Sequence, residues 1–452
     1  MSSAERGVGR SVEDSVGAST GASTVTVTSS GSASNSADKR QLELSRRLLQ
    51  LLLQDFTGAV SVRLWNGETV AGPAQASTVF ELRKAAPLRD MLFGKNLNRL
   101  AEAYLAGDVG YQGSLERIFD LIDFLQHRTL SAAEKWQVLK LLLQMQANPV
   151  PVLNGDKGGI KRDGNSRATI SHHYDVDNEF YQLVLDPEMV YSCAYFHDDS
   201  QSLAQAQRNK LDHICRKLML QPGETLLDIG CGWGGLAIWA TTHYGVKVHG
   251  ITLSQKQLSY GAERVRSLGL ADKITLELRD YRELPQHEIY DKIVSVGMFE
   301  HIGVSNFPLY FATVQRLLKP GGLFLNHGIT NDTGWQAAAS SRFINEYIFP
   351  DGELARISDV TNAMEKQKFE ILDVEALRMH YAMTLRFWME NLLANQDKAV
   401  EIAGLRIFRL WRLYMAGSAY FFDQGNLGLY QIVAGKNRHP WPLPLTRQHL
   451  YQ

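Results

Sequence analysis

Cysteine is scarce: three residues, Cys193, Cys215 and Cys231, in a chain of 452. None is spaced as a CxxC pair or as part of a Cys/His zinc set, so no disulfide framework and no metal site are expected, and the sparse, odd set fits a reducing compartment. No run of about 18 uninterrupted apolar residues occurs, which argues against a transmembrane helix. An excess of one charge is missing too. The 47 Lys and Arg against 48 Asp and Glu leave a net −1, which removes the electrostatic case for nucleic acid. It also excludes membrane attachment by overall charge, while leaving room for a local basic face. The first residues lack the charged and apolar parts of a secretory signal. A cytoplasmic protein is the expectation, touching a membrane from that side if at all.

What is present falls into segments. Residues 1–38 are Ser, Gly, Thr and Ala with few large apolar side chains; too little surface can be buried to offset chain entropy, so a disordered tail is expected. Residues 40–147 open with a leucine-rich helix around Leu48, Leu49, Leu51, Leu52 and Leu53. Short strand-like pieces follow at 60–65 and 79–82, then helical patterns near 97–106 and 114–127, which predicts a small α+β domain. Residues 148–168 mix Pro, Gly, Asn and Lys and read as a linker. From 169 to 452 strands alternate with helices. Strands are expected at 225–229, 246–251, 274–278, 291–296 and 322–326, and helices at 235–244, 255–268 and 306–318. This is the rhythm of a doubly wound α/β sheet. Lys319-Pro320-Gly321-Gly322 is read as a turn before the fifth strand, and the last third as helical and aromatic-rich.

The chemistry begins at Leu226-Leu227-Asp228-Ile229-Gly230-Cys231-Gly232-Trp233-Gly234-Gly235. A short apolar run ends in an acid and a glycine-dense turn before a helix-capable segment, the opening unit of a nucleotide-binding fold. The Asp-x-Gly-x-Gly-x-Gly spacing suits S-adenosylmethionine (SAM) better than NAD. SAM has no pyrophosphate, so the loop need only pass close to the ligand's amino-acid part and ribose. At the end of the second strand a NAD protein usually carries an acid for the ribose. Here Thr252 and Gln257 supply a hydroxyl and an amide instead. Asp280-Tyr281-Arg282 follows the third strand, where an adenine pocket is expected. Met298-Phe299-Glu300-His301 ends the fourth strand, at the carboxyl edge where such sheets bind ligands.

Together, the segments HHYDVDNEFY, YSCAYF, LLDIGCGWGG, GITLSQKQ, RDYREL, SVGMFEHIG, LKPGGLFLNHGI, EYIFPDG and HYAMTLRFW, spread over roughly 170–435, resemble the cyclopropane-fatty-acyl-phospholipid synthase family, which includes the mycolic acid cyclopropane synthases. The resemblance implies a Rossmann-like class I SAM-dependent methyltransferase domain with helical additions, preceded by a smaller N-terminal domain that binds lipid and mediates a homodimer. It also implies a reaction: SAM gives its methyl carbon to a cis double bond in a phospholipid acyl chain, and proton loss closes a cyclopropane ring. The substrate would then lie in a bilayer, with the protein attached peripherally to the inner membrane. Family members take bound bicarbonate as the base, and its cage carries over onto Cys193, Glu300, His327, Ile329 and Tyr381. In this reading Glu300 accepts from the bicarbonate hydroxyl while His327 and Tyr381 hold its other oxygens. By the same carry-over SAM contacts fall on Tyr174, Tyr191, Ser192, Gly230, Gly232, Gly234, Thr252, Gln257, Tyr281 and Arg282.

One departure stands out. Many relatives place a Cys in a late helix motif where this chain has Tyr414-Met415-Ala416-Gly417-Ser418-Ala419, so Ser418 replaces a residue once considered a nucleophile; ring closure needs no covalent enzyme intermediate. Ordinary alternatives stand beside these readings. Taken alone, Cys193 is a buried apolar cysteine, His327 a satisfied core histidine, Tyr381 one aromatic among many, and Glu300 with His301 a helix-capping pair. Arg406, Arg409 and Arg412 form either a lipid-facing basic stripe or a solvated face. Other functions weighed are a methyl-branching variant, a small-molecule N-methyltransferase and a non-catalytic SAM- or lipid-binding protein.

Overall fold

The computed structural model describes residues 31–73, 75–93, 98–147, 177–284, 289–332, 353–436 and 443–451, with backbone alone at 31–35. Two compact units divide the chain, Met1–Val150 and Pro151–Gln452.

In the first unit, α1 (Gly31–Leu53), β1 (Val60–Arg63), β2 (Thr69–Ala71), β3 (Thr78–Leu82), α2 (Ala86–Phe93), α3 (Asn98–Ala106), β4 (Val109–Gln112), α4 (Leu115–His127) and α5 (Ala132–Gln144) succeed one another. The sheet order is β2-β1-β3-β4. Leu48, Leu49, Leu52 and Leu53 of α1 are buried, as are Val60 and Val62 of β1, so the leucine run and the alternating strand share a core. One expectation is corrected here. Helix α1 begins at Gly31, so residues 31–38 are helical rather than part of an unstructured tail. They extend the leucine-rich helix, and the Trp65 indole N–H donates to Asp38 Oδ1 at 3.1 Å.

The second unit contains α6 (Asn178–Val184), α7 (Leu203–Lys217), β5 (Thr225–Ile229), α8 (Gly235–Tyr244), β6 (Lys247–Thr252), α9 (Gln255–Ser267), β7 (Ile274–Leu278), β8 (Tyr290–Val296), α10 (Phe307–Leu317), β9 (Leu318–Asn331), α11 (Ile357–Lys366), β10 (Phe369–Ala376), α12 (Arg378–Ala394), α13 (Gln396–Gln424) and β11 (Leu427–Lys436). They build a seven-stranded sheet in the order β10-β11-β9-β8-β5-β6-β7. The central strands are parallel. Their near-continuous apolar runs reflect burial on both faces; Leu226, Leu227 and Ile229 of β5 and Ile293 and Val294 of β8 are all in the core. The chain winds outward from β5 to β7, then returns to place β8 on β5's other side. That reversal opens a crevice at the carboxyl ends of β5 and β8.

Two further differences from the sequence reading concern this sheet. The last third is not purely helical: β10 and β11 pair antiparallel with each other, and β11 pairs antiparallel with β9. The Lys319–Gly322 stretch is not a separate turn but the start of β9, where the pairing with β8 jumps from Tyr290↔Leu318 to Lys292↔Leu323. The basic stripe lies on α13, where Phe408 and Trp411 are buried, Arg406 is exposed, and the Arg412 guanidinium sits 5.4 Å from the Phe408 ring centroid.

Candidate active site

The glycine loop after β5 shapes the crevice. Gly230 has φ +83 and a Cβ there would lie 3.3 Å from Met298 Cγ, so only glycine holds both the turn and the open floor. Gly230 and Cys231 donate their N–H groups to the Ile251 carbonyl, tying the loop to β6. Tyr191, Ser192, Gly230, Gly232, Thr252, Gln257 and Tyr281 all line the resulting cleft. Ser254 caps α9 by accepting from Gln257 N–H. The Gln257 side chain is held by Thr252, whose hydroxyl donates to Gln257 Oε1 at 2.8 Å. The Gln257 amide N–H groups are therefore what it brings to the cleft.

Two expected contacts do not line the cleft. Gly234 is the left-handed N-cap of α8, and a Cβ there would lie 3.4 Å from Leu276 Cδ1 of β7. Arg282 is engaged by Asp280, with Nε 2.9 Å from Oδ1 and Nη2 2.6 Å from Oδ2; Asp280 and Arg279 reach the lining instead. Tyr174 lies outside the described residues.

Lys210, which the sequence reading did not single out, also stands on this cleft, as do residues that it named only as parts of motifs. Lys210 and Asp228 line it, with Met298 and His301. Asp228 is buried at the end of β5 with Oδ2 unpaired. Burial pushes its carboxyl up to about 7, against the pull of Lys210. Gln207, one turn before Lys210 on α7, donates from Nε2 to the carbonyls of Val190 and Ser192, fixing the segment that carries Tyr191. The sequence holds one clue to Lys210: it sits four residues from both Ala206 and Ile214, in an apolar helix stripe where a lysine is out of place.

Next to the cleft, the five residues expected to form a small-anion cage are linked through the backbone. Glu300 lies in the turn after β8, and its Oε1 accepts from Ile329 N–H at 3.4 Å. Ile329 pairs with Leu429 across β9 and β11, and Leu429 O accepts from Leu377 N–H at 2.8 Å. Leu377 O in turn accepts from Tyr381 N–H and lies 3.9 Å from Cys193 Sγ. His327 faces Val296 of β8 and Gln431 of β11; Gln431 Nε2 lies 3.1 Å from His327 Nδ1.

Glu300 Oε2 and His327 Nε2 are buried and have no hydrogen-bond partner among the described residues. Two such atoms close to the cleft call for an explanation, and a bound water or small anion is one that fits. Burial raises the Glu300 carboxyl to about 7 and drives the His327 imidazole well below its ordinary range. It also raises the Cys193 thiol. At neutral pH Cys193 and His327 are therefore uncharged, and Glu300 is near its midpoint. Aromatic rings flank the group: Tyr191 and Tyr381 stand 5.0 and 6.0 Å from Trp388, and Phe422 lies 5.0 Å from Tyr381. Tyr414, not singled out from the sequence, joins them. Burial raises its phenol to about 12, partly offset by hydrogen bonding with Tyr191 and Tyr381. Ser418 is buried one turn further along α13.

In sequence and in fold the chain matches known proteins. The family model for mycolic acid cyclopropane synthetase fits residues 161–432. The chain belongs to the mycolic acid cyclopropane synthetase family. A probable fatty acid methyltransferase of Pseudomonas putida is 40% identical over 408 residues, covering 88% of this chain and 98% of that protein. The cyclopropane-fatty-acyl-phospholipid synthase of Escherichia coli K12 is 40% identical over 262 residues, 58% of this chain and 66% of that one. The solved structure of the mycolic acid cyclopropane synthase CmaA1, complexed with SAH and CTAB, superposes with a TM-score of 0.56 at 34% identity, covering 59% of this chain and 97% of that one. The second unit is thus a class I SAM-dependent methyltransferase fold, and this family member is a SAM-dependent methyltransferase. The cleft fits SAM on its own evidence: a turn that needs glycine at Gly230, hydroxyl and amide groups at the end of β6, and an unpaired buried carboxylate oxygen at the end of β5.

Proposed function

We propose that the protein is a cyclopropane-fatty-acyl-phospholipid synthase, acting on a cis double bond of a phospholipid acyl chain. The observation that carries this reading is the pair of buried, unpartnered atoms Glu300 Oε2 and His327 Nε2 beside the cofactor cleft.

SAM supplies an electrophilic methyl group on a sulfonium. An alkene is a weak nucleophile, so holding it against that methyl supplies much of the rate. The cleft does this by binding the nucleotide through Thr252, Gln257 and the glycine loop, leaving the apolar and aromatic side for the acyl chain. Tyr191, Tyr381, Tyr414 and Trp388 present ring faces that stabilise positive charge developing on the chain. An anionic nucleophile close to that carbon would itself be alkylated, and burial keeps Cys193 a thiol rather than a thiolate; an uncharged His327 adds no positive charge to oppose the cation.

Cys193, Glu300, His327, Ile329 and Tyr381 would hold bicarbonate, which would supply the base for loss of a proton. The fit is chemical: Glu300 offers an acceptor, while the imidazole, the phenol and the thiol offer donors, and charge-assisted hydrogen bonds orient a small anion well.

We propose, further, that the lipid is met at the cytoplasmic face of the inner membrane by a peripherally bound homodimer. Among the described residues no helix is long and apolar enough to cross a membrane. Helix α5 supports surface attachment: Trp136, Leu139 and Leu143 are 71, 44 and 65% exposed at i, i+3 and i+7, with Lys135 and Lys140 exposed alongside. Aromatic and leucine residues beside lysine suit the interface of an anionic bilayer.

The test is methyl transfer from isotope-labelled SAM to vesicles of a cis-monounsaturated phospholipid, with bicarbonate present or stripped, read by mass spectrometry of the released acyl chains. A gain of one CH₂ with the alkene lost and a ring present, dependent on bicarbonate, supports the reading. A methyl branch in place of a ring points to the variant outcome, consistent with relatives named simply as fatty acid methyltransferases. No label in lipid but label in added amines sinks it.

A further inference from the structure

We infer that Lys210 and Asp228 form a clamp for the zwitterionic amino-acid end of SAM, with the Lys210 ammonium as counter-ion of the cofactor's carboxylate. This rests on the cleft being the SAM site.

Lys210 lies on α7, 2% exposed, and lines the cleft beside Ser192 and the glycine loop. An ammonium has three donors and no acceptor. Among the described residues its one hydrogen-bond acceptor is Ser192 Oγ, at 2.8 Å. Asp186, Cys193 and Asp228 are near enough to act on it through space, yet no described carboxylate stands at ion-pair distance. Asp186 is already committed, its oxygens accepting from the backbone N–H groups of Glu188 and Val190. A buried cation with one neutral acceptor is an expensive arrangement unless an anion completes it.

Asp228 is the mirror case: a buried acid on the same cleft with Oδ2 unpartnered. The cleft thus holds one under-coordinated ammonium and one under-coordinated carboxylate. A free amino acid's α-ammonium and α-carboxylate are their complement, and SAM carries both. Lys210 also holds Ser192 by its hydroxyl, so the side chain that would bind the carboxylate also fixes the neighbouring loop. The lowered Lys210 ammonium, brought to about 8 by burial, agrees with a site completed by an incoming anion.

The experiment compares two probes by isothermal titration calorimetry: S-adenosylhomocysteine, and the same thioether nucleoside without the carboxylate, 5′-S-(3-aminopropyl)-5′-thioadenosine. The wild type should prefer the first at least tenfold. Lys210→Met should weaken the first by tenfold or more and leave the second within threefold, while Lys210→Arg retains most of the preference. Equal weakening of both probes in Lys210→Met would assign the residue to loop positioning alone and overturn the clamp. If Lys210→Met does not fold, the wild type still decides, because absence of any preference between the probes overturns the proposal. Failure of the wild type to bind either probe would instead overturn the SAM site itself.

Discussion

Glu300 and His327 matter because of what they lack. Each buries one polar atom without a partner, and each owes its shifted protonation to burial. Glu300→Gln keeps the shape and removes the acid, so SAM affinity should stay within about threefold while turnover falls at least a hundredfold, the range by which positioned acid–base groups contribute. Because the Glu300 carboxyl lies near 7, kcat/KM of the wild type should rise through that pH as the carboxylate forms, and Glu300→Gln should lose that limb. Unchanged turnover in the variant would remove Glu300 from the cage. Gln431 carries a second prediction. Its Nε2 faces His327 Nδ1, which makes Nδ1 the acceptor and leaves the proton on Nε2, the unpartnered atom. Gln431→Glu places an acceptor there and draws the proton to Nδ1. Turnover should fall at least tenfold with the SAM dissociation constant within threefold, and ¹⁵N NMR of the imidazole should show the tautomer exchanged. An unaltered tautomer would refute the role.

Elements were legible where they carry their own pattern. The strands β5 and β8 carry short apolar runs, β6 and β7 alternate apolar with polar residues, and their helices have caps such as Ser202 and Ser254. Local pattern failed where an element exists only through distant partners. Strand β10 reads Phe-Glu-Ile-Leu-Asp-Val-Glu-Ala and exposes Glu370, Val374 and Ala376, so its acids resemble a solvated helix face; pairing with β11 makes it a strand. The site divides the same way. The glycine loop and Thr252 with Gln257 were readable from spacing, whereas the Gln431–His327 contact spans 104 residues and Lys210 becomes significant only once α7 packs beside the loop. Helix α13 shows a local rule broken for a reason. At Gly404 the backbone takes φ +81 and ψ 156, a region essentially closed to other residues. The kink lets the segment after it bring Phe408, Trp411 and Tyr414 into the core around Tyr381. Gly404→Ala should destabilise the protein by about 1–3 kcal/mol, measured by urea denaturation; an unchanged midpoint would show that the kink is dispensable.

At the scale of the whole molecule, the buried titrating groups pull stability in opposite directions with pH. Asp228 and Glu300, both raised to about 7, keep protons in the folded chain that the unfolded chain has already released above its ordinary carboxyl range. Their contribution to stability is fully present below about pH 4 and declines as pH rises toward 7. His301, lowered to about 4 by burial, and His327 act the other way, since the unfolded imidazoles take up protons that the folded ones refuse. Glu375 adds to that side. Burial opposes its ionisation, but His213 at 2.8 Å and Lys217 at 2.5 Å outweigh it and hold the carboxyl near 2, tying β10 to α7. Between about pH 4.5 and 6.5 the acids and histidines largely offset one another, so the wild-type curve alone is uninformative and the variant difference is the quantity to measure. Glu300→Gln removes one acid term. Its stability relative to wild type should grow between pH 5 and 7 and level off above, by on the order of 2–3 kcal/mol, the value of a shift of this size at about 1.4 kcal/mol per pH unit. Urea denaturation of both proteins at pH 5, 6, 7 and 8 checks this. A pH-independent difference would mean that Glu300 ionises at its ordinary value in the folded chain. The variant that stops turnover would then be no more stable at pH 8 than at pH 5, and the burial that places an unpaired carboxyl beside the cleft would not be the source of its chemistry.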